Sequence, residues 1–282
     1  MLTLDEIQLK LNHKKILDFT GHTLQIHSGD KVAILGENGA GKSSLVNAIL
    51  GEYPLSQGSI HHDVTLREIG VVFQNNHYEE LMKVEEFIQL VFPCWNDQMR
   101  QNFFQQFHFN HLRHSEMKYL SNGERQRLTL GVTLTQKKKL YFFDELTSGL
   151  DVLKRQQLLQ LMKQATKDST VINITHYFEE IEQWATKILI LKGGKILFWG
   201  SRDELLAQYP ITGAYQISTP LPFSTLKTMS LHSDFIYFAK NQAEKDEIDR
   251  YLAQHALSYT YLAPGIYTSY LQAYNKEGAL NA

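Results

Sequence analysis

The sequence has few of the features that mark secreted, membrane-spanning or nucleic-acid-binding proteins. Its 282 residues include one cysteine, Cys94, which excludes an internal disulfide and a cysteine-cluster metal site. No apolar run approaches the ~20 residues that span a bilayer, and the stretch from Ile88 to Trp95 is among the longest. With 28 Lys and Arg against 30 Asp and Glu, the formal charge of -2 gives no electrostatic reason to expect nucleic acid as a partner.

The N-terminal residues, MLTLDEIQLK, contain neither the basic nor the apolar region of a secretory signal. Hydrophobic residues make up 43% of the chain, which is enough to build a core. We therefore expect a cytosolic globular protein.

Short β-rich runs alternate with helical patterns over roughly the first 200 residues, as is typical of α/β folds. Residues 78–119 are helical in pattern and lack strand signals. Gly193-Gly194 predicts the turn of a hairpin between strands at 187–191 and 195–199. The other predicted strands are 31–35, 69–73, 140–143 and 171–174, and the predicted helices are 42–50 and 152–165.

The composition changes after Tyr209-Pro210, because eight of the 14 tyrosines lie beyond residue 210. We predict a domain at 1–209 and a small C-terminal α/β appendage at 210–282. Within the appendage we predict strands at 214–217, 235–239 and 258–262, a short helix at 222–229, and a helix at 242–254.

Residues 36–43, GENGAGKS, match the pattern G-x-x-x-x-G-K-[ST] between a predicted strand and a predicted helix. Glycines let such a loop wrap closely, so that its backbone N–H groups and the helix N-terminus face phosphate. Lys42 can reach the β- and γ-phosphates, and Ser43 can offer its hydroxyl to Mg²⁺. The predicted ATP-binding loop comprises Gly36, Glu37, Asn38, Gly39, Ala40, Gly41, Lys42, Ser43 and Ser44.

The run Leu140-Tyr141-Phe142-Phe143 predicts a buried strand that places Asp144 and Glu145 at its carboxyl end, where α/β sheets bind ligands. Asp144 suits a Mg²⁺ role through water, and Glu145 could orient or deprotonate an attacking water. Adjacent strand residues point to opposite faces, so two different roles are geometrically natural.

The chain resembles the ABC ATPases over residues 2 to about 206. The segment Leu120-Ser121-Asn122-Gly123-Glu124 resembles their LSGGQ signature and precedes the acidic strand, as in that family. Gln74 resembles the Q-loop glutamine, residues 147–151 (TSGLD) the D-loop, and His176 the switch histidine.

The resemblance implies a P-loop NTPase cassette with a RecA-like core, an antiparallel β edge formed partly by residues 2–26, and a helical subdomain at about 78–135. It implies hydrolysis of ATP with Mg²⁺ in a nucleotide-sandwich dimer, in which the signature of one subunit closes over the ATP of the other. The implied metal ligands are Ser43, Gln74 and Asp144; the implied catalytic residues are Glu145, His176 and Gln74; and the implied nucleotide contacts beyond the loop are Ser121, Asn122, Gly123, Glu124 and Asp151.

Some positions depart from the family pattern. Asn122 replaces a signature glycine, and Glu124 replaces the glutamine and so adds a charge near the phosphates. Leu146 stands where proline is usual. The position of the adenine-stacking aromatic falls on Leu11, which cannot stack in the same way; His13 is either a substitute or an exposed loop histidine.

The resemblance also implies partners: a membrane permease that docks on the helical subdomain, and an identical or different ATPase subunit. No nucleic acid is expected. We expect a cytoplasmic location at the inner face of the cell membrane, through the permease. The bulky apolar residues of the subdomain either contact the permease or form its own core; they are Phe87, Ile88, Leu90, Val91, Phe92 and Trp95.

The sequence near Val84-Glu85-Glu86-Phe87 and the appendage after residue 210 resemble stand-alone ATPases of bacterial exporters for drugs, peptides or lipid-like substrates, so we expect export. An uptake transporter is the alternative, as is a non-transport ABC protein that acts in translation or repair.

Overall fold

The computed structural model describes residues 1–74, 78–223, 226–231 and 233–278. The strands are β1 (Leu2–Leu11), β2 (Lys14–Asp18), β3 (Thr23–Ile26), β4 (Lys31–Leu35), β5 (Gln57–His62), β6 (Ile69–Val72), β7 (Leu140–Asp144), β8 (Thr170–Ile174), β9 (Lys187–Lys192), β10 (Lys195–Ser201), β11 (Gly213–Ile217), β12 (Lys227–Leu231), β13 (Asp234–Ala239) and β14 (Thr260–Leu262). The α-helices are α1 (Lys42–Ile49), α2 (Val84–Val91), α3 (Asp97–Gln106), α4 (Asn122–Thr135), α5 (Val152–Ala165), α6 (Phe178–Glu182), α7 (Arg202–Gln208), α8 (Gln242–Gln254) and α9 (Ile266–Gly278).

The central sheet has the strand order β10-β9-β4-β8-β7-β6. Its inner pairs are parallel, and β10 pairs antiparallel with β9 through the predicted Gly193-Gly194 turn. Strands β4 and β8 are buried along their whole length, as expected for parallel strands covered on both faces. The carboxyl ends of β4, β6, β7 and β8 therefore meet at one edge, where the predicted site residues follow them.

The predicted antiparallel β edge is confirmed. Strand β1 pairs antiparallel with β2, β3 and β5. Its alternating inward residues pack with α1 and one face of the central sheet, forming a core that includes Leu4, Leu17, Val46 and Ile172. This packing supports the loop between β4 and α1.

The helical region has a core of its own, built from α2, α3, α4 and the loops between them. Ile88 is buried in this core, and Phe87, Val91, Phe92 and Trp95 are half-buried against it. Leu90 is 68% exposed and Leu81 66% exposed. Most of the bulky apolar side chains of this segment thus pack in the segment's own core.

The segment after residue 210 has the sheet order β12-β13-β11-β14. The helix predicted at 222–229 is wrong, because residues 227–231 form a strand that pairs antiparallel with β13. Polar and apolar residues alternate there, which suits a strand period of two rather than a helix. Residues 224 and 225 of that stretch, and 279–282 of the predicted appendage, lie outside the described residues.

Helix α9 was not predicted, and it joins the two parts of the chain. One side packs on the C-terminal sheet through Leu271. Another side, with Ile266, Ala273 and Tyr274, shares a core with Leu35 and its neighbours in the central sheet. The division at residue 209 stays a prediction, but α9 packs against the cassette on the other side of it. None of the helices in the described part of the chain is long and apolar enough to cross a membrane.

Candidate nucleotide site

The loop between β4 and α1 presents open backbone amides at a helix N-terminus. Gly41 caps α1 at φ 98°, with no side-chain cap and no acidic residue in the first turn. A Cβ on Gly41 would lie 2.6 Å from Leu17 Cδ2, and a Cβ on Gly36 would lie 2.5 Å from the Leu191 carbonyl oxygen. Glycine is therefore required at both positions by close approach, and the helix N-terminus is left free to meet an anion.

Lys42 is the cation of this loop, and it is buried. Its Nζ donates to the Gly36 carbonyl at 2.7 Å and the Glu37 carbonyl at 3.1 Å, which closes the loop on itself. Burial lowers the pKa of Lys42, while the nearby carboxylates of Glu145 and Asp144 oppose that shift. The ammonium is thus held by backbone carbonyls next to the acidic end of β7.

Asp144 ends β7, and its Oδ2 accepts a hydrogen bond of 2.8 Å from the Ser43 hydroxyl. Burial raises the pKa of Asp144, and the Ser43 hydrogen bond and Lys42 oppose the rise. Ser43 and Asp144 supply oxygen ligands of the kind that Mg²⁺ prefers, and Gln74, whose Nε2 contacts Glu145, has an amide oxygen of the same kind. These residues therefore fit the metal that the sequence implies.

No group of three or more His, Cys, Asp or Glu residues among the described residues is arranged to hold a metal ion. A Mg²⁺ at Ser43 and Asp144 would take its remaining ligands from phosphate oxygens and water, as this ion does in ATP sites. The donor set suits a metal that arrives with a nucleotide.

Glu145 is held by two side chains from neighbouring strand ends. Its Oε2 accepts a hydrogen bond of 2.8 Å from Gln74 Nε2, and its Oε1 lies 2.9 Å from His176 Nε2. The backbone of Glu145 has φ 50°, a left-handed conformation that non-glycine residues adopt rarely and that concentrates at functional sites. The structure thus brings together Gln74, Glu145 and His176, the three residues that the family resemblance implies to be catalytic.

A fourth side chain supports this arrangement and was missed from the sequence. Glu180 is buried on α6, where its Oε1 accepts from Thr147 Oγ1 at 3.0 Å and its Oε2 from Thr175 Oγ1 at 3.2 Å. Thr147 follows Glu145, and Thr175 precedes His176. The carboxylate therefore ties together the segments that carry those two residues. The available signal was a threonine two residues after Glu145 and another directly before His176.

The signature segment forms the start of α4. Ser121 is its N-cap, and the Glu124 carboxylate accepts from the Ser121 backbone N–H at 2.8 Å and from its hydroxyl at 2.7 Å, a capping box. Asn122 is helical and needs no positive φ. Ser121 thus caps α4, and the Glu124 carboxylate is hydrogen-bonded to the Ser121 hydroxyl.

The signature contacts the loop before α5 rather than the phosphate loop. A Cβ on Gly123 would lie 2.8 Å from Leu150 Cδ2, so the glycine allows close packing there. Asp151 caps α5 by accepting from the Lys154 backbone N–H at 3.0 Å. Among the described residues, no contact joins the phosphate loop to Ser121, Gly123, Glu124 or Asp151 of the same chain.

The predicted adenine position remains aliphatic. Leu11 is the last residue of β1 and packs partly against the core. His13 lies exposed in the following turn at φ 64°.

Comparison with known proteins gives consistent matches. The family model described as "ABC transporter" matches residues 5–148. A phosphonates import ATP-binding protein of Nostoc sp. is 28% identical over 211 residues, covering 66% of this chain and 86% of that protein. An energy-coupling factor transporter ATP-binding protein of Mycoplasmopsis synoviae is 31% identical over 225 residues, covering 73% of this chain and 84% of that protein.

The fold also matches a solved structure. A bacterial Atm1-family ABC exporter with ATP bound has a TM-score of 0.64 and 25% identity to this chain. The match covers 73% of this chain and 39% of the exporter chain. The likeness therefore concerns one part of that larger protein.

Proposed function

Since this chain belongs to the ABC transporter family, as an ATP-binding subunit whose ATP hydrolysis is coupled to transport, we propose that it drives solute uptake through a separate membrane permease. The observation that carries the catalytic part is the clamp of Gln74 and His176 on Glu145, beside the Ser43–Asp144 pair. It supports a site built to activate water next to a metal-bound triphosphate.

In the proposed mechanism, the phosphates of ATP are bound by the N-terminus of α1 and by amides of the loop at 36–44, other than those of Glu37 and Ala40, which donate within the protein. Lys42 balances the charge on the β- and γ-phosphates. Ser43, Asp144 and Gln74 would hold Mg²⁺, which would offset phosphate charge when bound. The chain thus orients the triphosphate with its γ-phosphate toward the carboxyl end of β7.

Glu145 is the proposed general base. It accepts a proton from the water that attacks the γ-phosphorus, and the bond to the ADP oxygen breaks as ADP leaves. Gln74 Nε2 donates to one oxygen of the Glu145 carboxylate, and His176 Nε2 lies against the other. These two side chains therefore position the carboxylate. Glu180 in turn fixes the two segments that carry Glu145 and His176.

A second copy, or a paired ATPase subunit, is proposed to complete the site. Ser121, Gly123 and Asp151 occupy helix N-termini away from the phosphate loop of their own chain. Helix N-termini favour anions, so this face suits the γ-phosphate of an ATP bound to a partner. Closure of the dimer would then depend on nucleotide.

Uptake is favoured over the export that we expect from the sequence. The match with this chain covers 86% of the phosphonates import relative, whereas it covers only 39% of the exporter chain. The proposed permease contact is made by the exposed Leu81 and Leu90 of the helical subdomain. The location at the inner face of the membrane follows from that contact. The transport relatives also favour this function over a role in translation or repair.

The test is purification of the complex from membranes, followed by reconstitution in vesicles with the ATPase side exposed to ATP. Solute movement toward the ATP side supports uptake. Movement away from it establishes export, and failure to retain any membrane protein would favour a role outside transport. A parallel preparation with Glu145→Gln should show no movement in either direction.

A further inference from the structure

Tyr274, near the end of α9, reaches the phosphate loop. Its side chain is 3% exposed. The phenol oxygen accepts a hydrogen bond of 2.8 Å from the Glu37 backbone N–H and donates one of 2.6 Å to the Leu191 carbonyl. A residue of the C-terminal segment thus bridges the second residue of the phosphate loop and the end of β9.

The position of Tyr274 is held from several sides. Lys192 Nζ donates to the Tyr274 carbonyl at 2.9 Å and lies 5.2 Å from its ring centre. At the other end of α9, the Ile266 backbone N–H donates to Glu182 Oε1 at 3.3 Å. The Tyr274 ring also packs in the core that contains Leu35. The phenol therefore has little freedom to leave its two partners.

The Gly36–Glu37 peptide links Tyr274 to Lys42. Its N–H, that of Glu37, donates to Tyr274, and its carbonyl, that of Gly36, accepts from Lys42 Nζ at 2.7 Å. The Glu37 carbonyl, in the next peptide, accepts from Lys42 Nζ at 3.1 Å and from the Ala40 N–H at 3.1 Å. The Leu191 carbonyl, which accepts from Tyr274, also lies against Gly36 so closely that a Cβ would be 2.5 Å away. Tyr274 thus fixes the plane of the Gly36–Glu37 peptide, whose carbonyl accepts from Lys42.

Helix α9 also contacts the segment after His176. Phe178 lies two residues beyond that histidine, and its ring is 4.9 Å from Tyr267 and 5.1 Å from Tyr270, centre to centre. The Tyr270 ring is in turn 4.7 Å from the Tyr274 ring. One aromatic row on α9 therefore runs from the histidine segment to the phosphate loop.

We propose that Tyr274 is a positioning residue for ATP, which fixes the Gly36–Glu37 peptide so that Lys42 and the loop amides are arranged before nucleotide binds. The docking of α9 then sets the ATP affinity of the cassette. This rests on the proposed assignment of residues 36–44 to ATP, and it is independent of transport direction. A preordered loop costs less entropy on binding, and the gain is equal in the ground and transition states.

The test is Tyr274→Phe in the full chain, which keeps the ring and removes the hydroxyl. The dissociation constant for a non-hydrolysable ATP analogue with Mg²⁺, measured by calorimetry, should rise about 3- to 10-fold, the effect of losing one buried hydrogen bond. In the complex with permease, KM for ATP should rise similarly while kcat stays within about 2-fold, the signature of lost uniform binding.

Tyr237→Phe is the matched control. The Tyr237 phenol is also buried and accepts a 2.7 Å hydrogen bond from a backbone N–H, that of Leu221, within the C-terminal sheet. The Tyr237→Phe variant should lower Tm about as much as Tyr274→Phe does, and it should leave nucleotide affinity unchanged. Hydrogen exchange adds a local measurement, because the amides of residues 36–41 should exchange faster in Tyr274→Phe alone.

Lys192→Met is a second variant, which leaves the Tyr274 phenol intact but removes the hydrogen bond from Lys192 Nζ to the Tyr274 carbonyl. We expect a smaller rise in the dissociation constant than in Tyr274→Phe. The proposal is overturned if folded Tyr274→Phe binds the analogue as tightly as the wild type. It is also overturned if Tyr237→Phe weakens binding equally, since the effect would then be one of general stability. If the wild type itself binds no analogue, the assignment of residues 36–44 fails first.

Discussion

Oε1 of Glu145 lies 2.9 Å from Nε2 of His176, so two residues that follow different strands of the central sheet share one contact. The other carboxylate oxygen is taken by Gln74, from a third strand end. The Glu145 backbone adopts a left-handed conformation at φ 50° to turn its side chain toward these partners. Such local strain persists only where the surroundings impose it, which is the pattern expected of a reacting group.

Glu145→Gln should separate ATP binding from hydrolysis. The substitution keeps the size of the side chain but removes its basicity, and a general base contributes ~10²- to 10⁴-fold to rate. Phosphate release should fall by that factor. ATP affinity should change little, because the proposed phosphate contacts come from the loop, Lys42 and Mg²⁺. Phosphate release and calorimetry measure the two quantities.

Glu179→Gln is a suitable control for that variant, since it removes an exposed carboxylate on α6 that serves no proposed role. It should hydrolyse ATP at the wild-type rate. Wild-type hydrolysis by Glu145→Gln would remove Glu145 from the mechanism.

Lys42→Met should weaken ATP binding and hydrolysis together. Methionine retains an apolar stem in the buried position but loses the ammonium that rests on Gly36 and Glu37. Hydrogen bonds to charged groups contribute about 1.5–3 kcal/mol, so the dissociation constant should rise roughly 10- to 100-fold. Lys240→Met, which removes an exposed charge in the C-terminal segment, should bind normally. Equal affinity in Lys42→Met and wild type would contradict the loop assignment.

The parts of the site that depend on local pattern could be predicted from sequence. The phosphate loop follows from glycine spacing between a strand and a helix, and Asp144 and Glu145 follow from four apolar residues that must be buried. Parallel strands bring their carboxyl ends to one edge, which is why Gln74 and His176 meet Glu145. Those contacts are consequences of topology.

The contacts that depend on tertiary packing could not be predicted. Glu180 has the sequence surroundings of an ordinary exposed helix residue, and its burial arises from the packing of α6 against the segments of Thr147 and Thr175. Tyr274 is more than 230 residues from Glu37 in the chain, and no period or spacing links them. The strand β12 was mistaken for a helix because short mixed runs are ambiguous without their pairing partner.

Glu124→Gln should make nucleotide-dependent dimerisation easier. Glutamine can keep the capping box with Ser121, but it removes the negative charge that the structure places on the Ser121 hydroxyl. If Ser121 faces the γ-phosphate of a partner, one repulsion of about 1 kcal/mol is lost. In a Glu145→Gln background, the ATP concentration for half-dimerisation should fall about 5-fold, as measured by light scattering after size exclusion.

Two further variants calibrate that experiment. Glu247→Gln removes an exposed charge on α8 and should not change dimerisation. Ser121→Arg should abolish it by obstructing the partner's γ-phosphate, while ATP binding to the monomer persists. An unchanged or higher ATP requirement in Glu124→Gln would show that this carboxylate does not face phosphate.

Glu180 should make the stability of the protein fall as pH rises. Burial raises the pKa of Glu180 above its ordinary value of 4.5, and the hydrogen bonds from Thr147 and Thr175, with the charges of Arg155 and Lys163, oppose the rise without cancelling it. The folded state therefore binds a proton more readily than the unfolded state, so this contribution is fully present below pH 4.5 and is lost as pH rises through the folded-state pKa.

Glu180→Gln has no such proton to lose. Between about pH 4 and about pH 8, its free energy of unfolding should decline less than that of the wild type, as measured by urea titration at each pH. Glu179→Gln, exposed on the same helix, should follow the wild-type profile. Parallel profiles for Glu180→Gln and wild type would mean that the buried carboxyl carries its charge without penalty, because its threonine partners and Arg155 compensate fully for the lost water.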